Sequence, residues 1–571
     1  MKLWCRIIAA ILAASLVRAA DQPKTSPAWG DQRNGTYRNP VLPADYSDPD
    51  VIRVGDDFYL ISSTINMSPG MAVLHSRDLV NWRTIGHVVD DISRLGPALN
   101  WDRMGSYGKG VYAGSIRFHD NLFFVHFTSF EEGLFVATAR DPAGPWTVQP
   151  MKDARGRALL APKWDDPCPI WDDDGQAYLV ASKPGGAWYP HLFRMSVDGI
   201  TLLDADVDAM SRAGPQPAGQ GTPIYQRDSS EGNKIYKQNG FYYFFHNEVG
   251  WKGRAAMIRR SRFIYGERAD GSPGTAGEPG AYQIRQMLVS TAANREINQG
   301  GLVDTRDGRW YFLTHGGVGG HADGRVLSLL PVVWRDAWPD TGITAVAGMP
   351  GDWVPGGPMP VPDNEIRLPV GNDDFASGRL NPQWQWNHQP RAEAWSLKER
   401  KGWLRLHAFP PLRSGEFFSA GNTLGVRYFS GQPVVATFKL DVSQLAPGQK
   451  AGIVHFNGGR NYGALSVSRG KASLPVSFEE NGASREAIDL PATTRNLWLR
   501  TRVDDGQRAT FEYSLNGREY RQLEFAYPLQ WGGYRGDNIG VFTYNDRGVR
   551  GHIDVDSFTY DLGMPSPADV R

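Results

Sequence analysis

The sequence predicts an all-β protein in which a five-bladed β-propeller is followed by a β-sandwich. Three observations support this. A strand-turn-strand pattern recurs five times, no long stretch carries apolar residues at the helical period of 3.6, and a Pro/Gly-rich segment precedes a second series of strands. At 571 residues the chain exceeds what one hydrophobic core usually serves, so two domains are expected.

Each of the five repeats combines a strand-like run, a tight turn rich in Asp, Asn or Gly, and an aromatic strand. The repeats are DPDVIRVGDDFYLI from Asp48, AGSIRFHDNLFFVHF from Ala113, DPCPIWDDDGQAYLV from Asp166, EGNKIYKQNGFYYFF from Glu231 and QGGLVDTRDGRWYFL from Gln299. In each one an aromatic residue follows the opening residue by 11 or 12 positions. The repeats begin 53 to 68 residues apart, which leaves room for a four-stranded propeller blade.

Three of the repeats open with a carboxylate, namely Asp48, Asp166 and Glu231. The innermost strand of each blade runs beside the propeller axis, so one register position points into a common funnel, where the three acids are expected to converge. Cleavage of a glycosidic bond needs a carboxylic acid and a carboxylate on opposite sides of the sugar. A third carboxylate nearby would keep the acid protonated. The structural alternative is that the Asp-Pro pairs only cap strands.

Composition and the N-terminal residues limit the remaining classes of function. Lys+Arg and Asp+Glu both number 61, and a net charge of +0 argues against nucleic acid or an anionic membrane as partner. Residues 1–20 resemble an export signal, because Lys2 and Arg6 precede an apolar run shorter than the ~18 to 20 residues of a membrane span. We expect an exported protein, periplasmic or extracellular, without a membrane anchor. A short membrane anchor is the alternative.

A change of composition marks the predicted domain boundary. The propeller is predicted to span residues 35–348. Residues 349–369, MPGDWVPGGPMPVPDNEIRLP, contain so many Pro and Gly residues that they predict a linker without regular strand pairing. Residues 370–563 contain alternating strands separated by short turns, such as VVATFKLDV, ATFEYSLNG and HIDVDSFTY, and they predict the β-sandwich.

The repeats and their flanking residues resemble glycoside hydrolase family 43, the five-bladed β-propeller exo-glycosidases that include β-xylosidases and α-L-arabinofuranosidases. The resemblance rests on RNPVLPADYSDPDVIRVGDDFYLISST, DDPCPIWDDDG, SSEGNKIYKQNGFYYFF and NQGGLVDTRDGRWYFLTH. Through WQWNHQP and WSLKERKGWLRL, the C-terminal segment is similar to the concanavalin-like β-sandwich appended in that family. The resemblance covers nearly the whole mature chain.

The resemblance implies a role for each of the three acids and no required cofactor. Asp48 would be the general base that activates water, and Glu231 would be the general acid. Asp166 would modulate the pKa of the acid and help to orient it. Net inversion at the anomeric carbon follows, and the carboxyl groups of an inverting pair are expected ~6.5 to 9.5 Å apart.

Four further residues are assigned to the predicted site. Arg325 matches the family's arginine that reaches hydroxyls of the terminal sugar. His315, or alternatively His321, matches a histidine that in many members ligates calcium or a water cluster, which would make calcium a structural ion. Gln299 opens the fifth repeat and offers an amide to sugar or metal-bound water. Tyr112 stands where many members have a Trp and is interpreted as a sugar platform, with packing against the next blade as the alternative.

The expected substrate is a plant cell-wall oligosaccharide or polysaccharide with terminal pentosyl residues. The SPG motif at residues 68–70 and the EGNKIYK segment look more like the α-L-arabinofuranosidase branch, with β-D-xylosidase as the alternative. A non-catalytic sugar-binding propeller is an alternative from another class, because a fold alone does not define a function. A metal-dependent phosphoesterase is disfavoured, since no His/Asp cluster has ligand spacing and no glycine loop resembles a phosphate cradle.

Overall fold

A computed structural model of the chain describes residues 29–562, except residues 161–162, 184–188, 217, 226–228, 251–252, 292–294, 318–320, 344–348, 363–364 and 534. The predicted export signal at residues 1–20 lies outside the described residues. Within the described ranges, no helix has the length and apolar character that crossing a membrane requires.

Five antiparallel four-stranded sheets follow one another along the first part of the chain and form the five blades. Two short strands precede them, β1 (Gly30–Asp31) and β2 (Thr36–Arg38). Blade one contains β3 (Asp50–Val54), β4 (Asp57–Ser62), β5 (Gly70–Ser76) and β6 (Arg83–Val89). Blade two contains β7 (Val111–His119), β8 (Leu122–Ser129), β9 (Gly133–Ala139) and β10 (Thr147–Pro150).

The other three blades repeat the same order of strands. Blade three contains β11 (Asp165–Trp171), β12 (Ala177–Lys183), β13 (Tyr189–Met195) and β14 (Thr222–Pro223), with the short helix α1 (Val207–Ser211) between the last two. Blade four contains β15 (Ser229–Gln238), β16 (Phe241–Gly250), β17 (Gly253–Ser261) and β18 (Gln283–Leu288). Blade five contains β19 (Gly300–Asp304), β20 (Trp310–Gly316), β21 (Val326–Arg335) and β22 (Trp338–Thr341).

The first strand of each blade lies next to the axis, and the blades close into a ring. Strand β3 contacts β7 and β19, and β11 contacts β7 and β15. Leu42, which precedes blade one, pairs with Leu327 of blade five, whose N–H donates to the Leu42 carbonyl at 3.0 Å. The chain before blade one is therefore hydrogen-bonded to the last blade. This architecture confirms the predicted five-bladed propeller.

Apolar side chains fill the space between successive blades. Val73 of blade one and Val125 of blade two, for example, are fully buried in one core. Similar cores lie between blades two and three, three and four, and four and five. Burial of a Val, Leu, Ile or Phe side chain stabilises a fold by about 1.5 to 3 kcal/mol. These contacts hold the innermost strands in place around the axis.

The segment between the two domains differs from its prediction. Residues 349–369 are predicted to lack regular strand pairing, yet Gly356–Pro358 form strand β23, which pairs with β2. A Cβ atom on Gly356 would lie 2.0 Å from the carbonyl oxygen of Tyr37. The glycine that indicates a loop in the sequence therefore permits the close approach of two strands here.

The C-terminal domain consists of two packed seven-stranded sheets and confirms the predicted β-sandwich. In chain order its strands are β24 (Gln385–Trp386), β25 (Trp395–Ser396), β26 (Leu404–His407), β27 (Leu424–Arg427), β28 (Val434–Asp441), β29 (Lys450–Phe456), β30 (Tyr462–Ser468), β31 (Ser473–Glu480), β32 (Ala483–Pro491), β33 (Asn496–Val503), β34 (Arg508–Ser514), β35 (Arg521–Pro528), β36 (Asn538–Tyr544) and β37 (His552–Asp561). One sheet has the order β24-β27-β36-β29-β30-β31-β32 and the other β25-β26-β37-β28-β33-β34-β35.

The sandwich packs directly against the propeller. A single hydrophobic core contains Leu329 of blade five together with Trp384 and other sandwich residues. Ser68 of the propeller and Trp386 of the sandwich exchange two backbone hydrogen bonds, at 3.0 and 2.6 Å. This joint core places loops of the sandwich beside the propeller funnel.

Candidate active site

One cavity of about 440 Å³ at the propeller axis brings the three predicted acids together. Asp48, Asp166 and Glu231 line it from the innermost strands of blades one, three and four or the residues before them. The other lining residues are Ile65, Gly108, Lys109, Tyr112, Ala113, Phe130, Asp165, Arg254, Gln299, Arg325, Gly533 and Arg535. A volume of this size suits a small ligand such as the end of a sugar chain.

The innermost strands share a backbone conformation where they meet the cavity. Asp48 and Asp166 both have φ 51°, and Ala113 of blade two has φ 34°. A residue other than glycine in this left-handed region costs about 1 to 3 kcal/mol, and such residues gather at functional sites. The conformation is therefore repeated in blades one, two and three.

In blade four the residue with this left-handed conformation is Gly232, and Glu231 precedes it. Continuous pairing with the second strand starts at Asp50 in blade one, at Cys168 in blade three and at Lys234 in blade four. Asp48 and Asp166 precede that first residue by two positions, whereas Glu231 precedes Lys234 by three. The predicted common register of the three acids is therefore wrong by one residue at Glu231.

Steric contacts explain why blade four departs from the register. Gly232 has φ 73°, so it adopts the left-handed conformation that Asp48 and Asp166 adopt. A Cβ atom on Gly232 would lie 2.7 Å from Nδ2 of Asn247 and 2.9 Å from Cγ of Gln299. No side chain fits there, and the acid of blade four comes from the preceding residue.

Asp48 is ionised because of a cation from blade five. Its carboxylate accepts hydrogen bonds from Nη1 and Nη2 of Arg325, at 2.7 and 3.5 Å. Burial has the largest single effect and would raise the pKa of Asp48, but the charge of Arg325, together with smaller contributions from His315, Ser63 and Lys234, brings the pKa below its ordinary value. A buried, ionised carboxylate is the state that a general base requires.

His315 uses both ring nitrogens and does not fit its predicted role as a calcium ligand. Nδ1 accepts a hydrogen bond from the N–H of Asp48 at 2.9 Å, so Nε2 carries the proton toward Oδ1 of Asn298, 3.1 Å away. Burial, followed by the charge of Arg325, holds the pKa of His315 well below its ordinary value. The alternative, His321, does not line the cavity. Among the described residues, no group of three His, Cys, Asp or Glu is placed to hold a metal ion.

Asp166 connects blades three, four and five. Its Oδ2 accepts a hydrogen bond from the N–H of Gly232 at 2.7 Å, and its Oδ1 accepts one from Nε2 of Gln299 at 3.1 Å. Burial raises the pKa of Asp166 to about 7, with Lys234 opposing and Glu231 adding to the rise. Because Gly232 follows Glu231, Asp166 restrains the backbone that carries Glu231.

Glu231 is the most accessible of the three acids. Its side chain is 17% exposed, and Oε1 accepts a hydrogen bond from Nε of Arg254 at 2.5 Å. Strand β15 has a register irregularity between Glu231 and Lys234, which directs the strand end toward the cavity. Substrate that enters the cavity therefore meets Glu231 without displacing the core.

The three predicted substrate-binding residues line the cavity, and each also makes a polar contact within the protein that was not predicted. Besides binding Asp48, Arg325 donates from Nε to Oγ of Ser47 at 2.9 Å, and Gln299 donates to Asp166. Both side chains thus position carboxylates. The Tyr112 hydroxyl donates to the Gly108 carbonyl, and its ring packs against that of Phe130 at 6.2 Å between centroids.

Asp165, Lys234 and Arg254 were not identified from the sequence, nor were the cavity residues Lys109 and Arg535. Lys234 is fully buried, and its Nζ has no hydrogen-bond partner among the described residues, yet its charge lowers the pKa of Asp166 and Asp48. Asp165 lines the cavity, and burial together with Asp166 raises its pKa well above the ordinary value. Lys234 could have been noticed as a lysine two positions after Gly232, in a strand whose neighbouring residues are buried. No feature of the sequence indicated that Arg254, on β17, would line the cavity.

A funnel that combines an ionised buried carboxylate with a second, accessible carboxyl group contains the two groups that a glycoside hydrolase requires. Residues 37–339 match the family described as Glycosyl hydrolases family 43, and residues 372–561 match the Beta xylosidase C-terminal Concanavalin A-like domain. The chain belongs to glycoside hydrolase family 43. It is therefore an inverting glycosidase that hydrolyses O-glycosyl bonds of a carbohydrate, and enzymes of this family typically act without a cofactor.

Known glycosidases and a solved structure are similar to this chain. A β-xylosidase from Formosa agariphila is 31% identical over 99% of this chain and 99% of its own. A non-reducing end α-L-arabinofuranosidase from Bacteroides ovatus is 31% identical over 65% of each chain. The solved structure of a family 43 protein from Bacillus licheniformis, 25% identical, covers 92% of this chain and 100% of that chain with a TM-score of 0.72.

Proposed function

We propose that the protein removes terminal pentosyl residues from plant cell-wall oligosaccharides or polysaccharides, with Asp48 as general base and Glu231 as general acid. The observation that carries this proposal is that both residues line one cavity: Asp48 is buried and paired with Arg325, whereas Glu231 is partly exposed. A cavity of about 440 Å³ suits the end of a sugar chain better than its middle, which supports exo action.

In the proposed reaction, a water molecule beside Asp48 loses a proton to that carboxylate as its oxygen attacks the anomeric carbon. Protonated Glu231 donates its proton to the departing oxygen while the glycosidic bond breaks. The released sugar has the inverted anomeric configuration. Proton exchange with solvent then restores both groups. Asp166 acts through Gly232 by restraining the position of Glu231. We expect the two reacting carboxyl groups ~6.5 to 9.5 Å apart.

The first candidate linkage is a terminal β-D-xyloside. The β-xylosidase relative matches 99% of this chain, whereas the α-L-arabinofuranosidase relative matches 65%. The second candidate is a terminal α-L-arabinofuranoside, which the SPG motif and the EGNKIYK segment of the sequence favour. Both sugars are pentoses, and the same two carboxyl groups serve either reaction.

Hydrolysis of 4-nitrophenyl β-D-xyloside and 4-nitrophenyl α-L-arabinofuranoside by wild type and Glu231→Ala tests the proposal. We expect turnover that the substitution abolishes, and the ratio of kcat/KM values on the two substrates decides the linkage. NMR of the first product formed should show the inverted anomer. Sugar binding without turnover by the wild type would instead support the non-catalytic propeller.

We also propose that the protein is exported to the periplasm or the medium. The charged start at Lys2 and Arg6, followed by an apolar run, supports this, as does a polymeric substrate outside the cell. N-terminal sequencing of the protein from cell fractions tests it. A chain that retains residues 1–20 and stays in the cytoplasm would contradict the proposal.

A further inference from the structure

We propose that Arg535 of the sandwich domain binds a carboxylate of the substrate, so that the enzyme favours oligosaccharides that carry a uronic acid next to the terminal pentose. This inference rests on the proposed function, because it concerns another part of the wall of the same cavity. It adds a preference for an acidic substrate that Asp48, Asp166 and Glu231 do not provide.

Arg535 reaches the cavity across the domain boundary. It lies between strands β35 and β36 of the sandwich and lines the cavity that contains the acids. Its Nη1 donates to Oδ1 of Asn66 in the propeller, and its Nη2 donates to the carbonyl of Gly458 in the sandwich at 2.9 Å. Two residues on, the N–H of Asp537 donates to the carbonyl of Ala322 at 2.8 Å. The guanidinium is therefore restrained from both domains.

Arg535 differs from the other cations of the cavity wall in its contacts with the protein. Each of the other three contacts a carboxyl group of the protein: Arg254 contacts Glu231 at 2.5 Å, Arg325 contacts Asp48 at 2.7 Å and Lys109 contacts Glu131 at 2.6 Å. Arg535 contacts an amide oxygen and a peptide carbonyl, and it forms no ion pair with a carboxylate among the described residues. A guanidinium whose charge is not neutralised is a favourable partner for a ligand carboxylate.

Arg535 lies at the rim of the cavity. A Cβ atom on Gly108 would lie 3.5 Å from Nη2 of Arg535, and the next residue, Lys109, has a side chain that is 51% exposed. This part of the wall therefore extends to solvent. A terminal sugar between Asp48 and Glu231 occupies the axial end, so the following sugar passes the rim on its way out. A carboxylate on that sugar would meet Arg535.

The test compares two oligosaccharides that differ only in a carboxylate. One is a neutral oligosaccharide with the terminal pentosyl linkage that the enzyme cleaves, and the other bears a glucuronosyl group on the sugar next to that pentose. We expect wild type to favour the acidic substrate in kcat/KM by about tenfold or more, as a hydrogen bond to a charged group predicts. Added salt should reduce this preference.

Variants test whether Arg535 is the cause of this preference. Arg535→Gln should bring the ratio of kcat/KM values for acidic and neutral substrates to about one, and Arg535→Lys should retain part of it. Arg460→Gln is the matched control, because Arg460 is an exposed sandwich arginine that pairs with Glu416 and does not line the cavity. Its ratio should remain that of the wild type.

The outcomes separate this inference from the proposed function. Turnover of neutral pentosides with a wild-type ratio near one, or an unchanged ratio in Arg535→Gln, would overturn the role of Arg535 and leave the hydrolase proposal intact. Absence of turnover on every pentoside would instead overturn the hydrolase proposal. If Arg535→Gln does not fold, inhibition of wild type still decides, since D-glucuronate should inhibit more strongly than D-glucose. Equal inhibition would contradict the inference.

Discussion

The carboxylate of Asp166 accepts a 2.7 Å hydrogen bond from the backbone N–H of Gly232, the residue that follows Glu231. Blade three thereby restrains the strand end from which blade four presents its acid. Gln299 of blade five donates to the other oxygen of Asp166 at 3.1 Å, so three blades meet at one carboxylate. The position of Glu231 therefore depends on its backbone neighbours as much as on its own contact with Arg254.

Gly232→Ala should reduce both activity and stability. The new Cβ would be 2.7 Å from Nδ2 of Asn247 at φ 73°, so we expect a loss of about 1 to 3 kcal/mol in the free energy of unfolding. Displacement of Glu231 should lower kcat by up to about 10²-fold. Gly240→Ala is the control, because its φ is 76° but nothing lies within 4 Å of the added atom. Equal losses of kcat in the two variants, measured beside urea unfolding, would contradict the restraint.

Glu231→Gln should affect substrates according to their leaving groups. A glutamine cannot donate the proton, so kcat/KM on an unactivated disaccharide should fall by about 10²- to 10⁴-fold, and less on an aryl glycoside with an activated phenol. Steady-state kinetics on the two substrates measure this. Glu248→Gln removes a neighbouring carboxylate that pairs with Arg259 and does not line the cavity, and it should change neither value much. Equal losses on both substrates would reject the acid role.

Arg325→Gln should shift the pH dependence of activity. Without the guanidinium, burial raises the pKa of Asp48, so the acidic limb of the kcat/KM profile should move to higher pH by ~1 to 3 units. Arg325→Lys keeps a positive charge and should shift the limb less.

The same pair should affect stability in a pH-dependent way. The pKa of Asp48 is lower in the folded protein, so its ionised form contributes stability above the ordinary value near ~4, and this contribution disappears as pH falls through the folded value. The deficit of Arg325→Gln in the free energy of unfolding should therefore be larger at pH 7 than at pH 3. A deficit that does not change with pH would indicate a packing role only.

His315 should matter for the position of Asp48 and not for a metal ion. His315→Ala removes the acceptor of the Asp48 N–H, and an unsatisfied buried donor costs about 1 to 3 kcal/mol, so we expect a loss of that size in the free energy of unfolding and, because Asp48 is displaced, a lower kcat. Treatment of wild type with EDTA should leave kcat unchanged. His321→Ala is the control, since His321 does not line the cavity. Inactivation by EDTA that calcium reverses would contradict the assignment of both ring nitrogens.

Much of the fold could be predicted because its signals are local. Each blade begins with a strand-turn-strand unit of about 15 residues, and the repeated carboxylates identified Asp48, Asp166 and Glu231 as cavity residues. The one-residue offset of Glu231 could not be predicted, because it depends on the space around Gly232 between two blades.

The contacts of the charged side chains were predicted less well. Arg325 and Gln299 line the cavity as predicted, but their hydrogen bonds to Asp48 and Asp166 were not predicted. Lys234 was not recognised, because a lysine in a strand sequence is usually exposed and burial on the axis depends on ring closure.

The sequence by itself determined the number of blades, the two-domain order and the glycosidase family, since these follow from periodicity and motifs within short stretches. Only the tertiary structure decided which side chains meet. Arg325 binds Asp48 across 277 residues, and Arg535 binds Asn66 across 469. Such pairs form when the ring closes and the sandwich docks, and no local pattern encodes the relative position of surfaces so far apart in the chain.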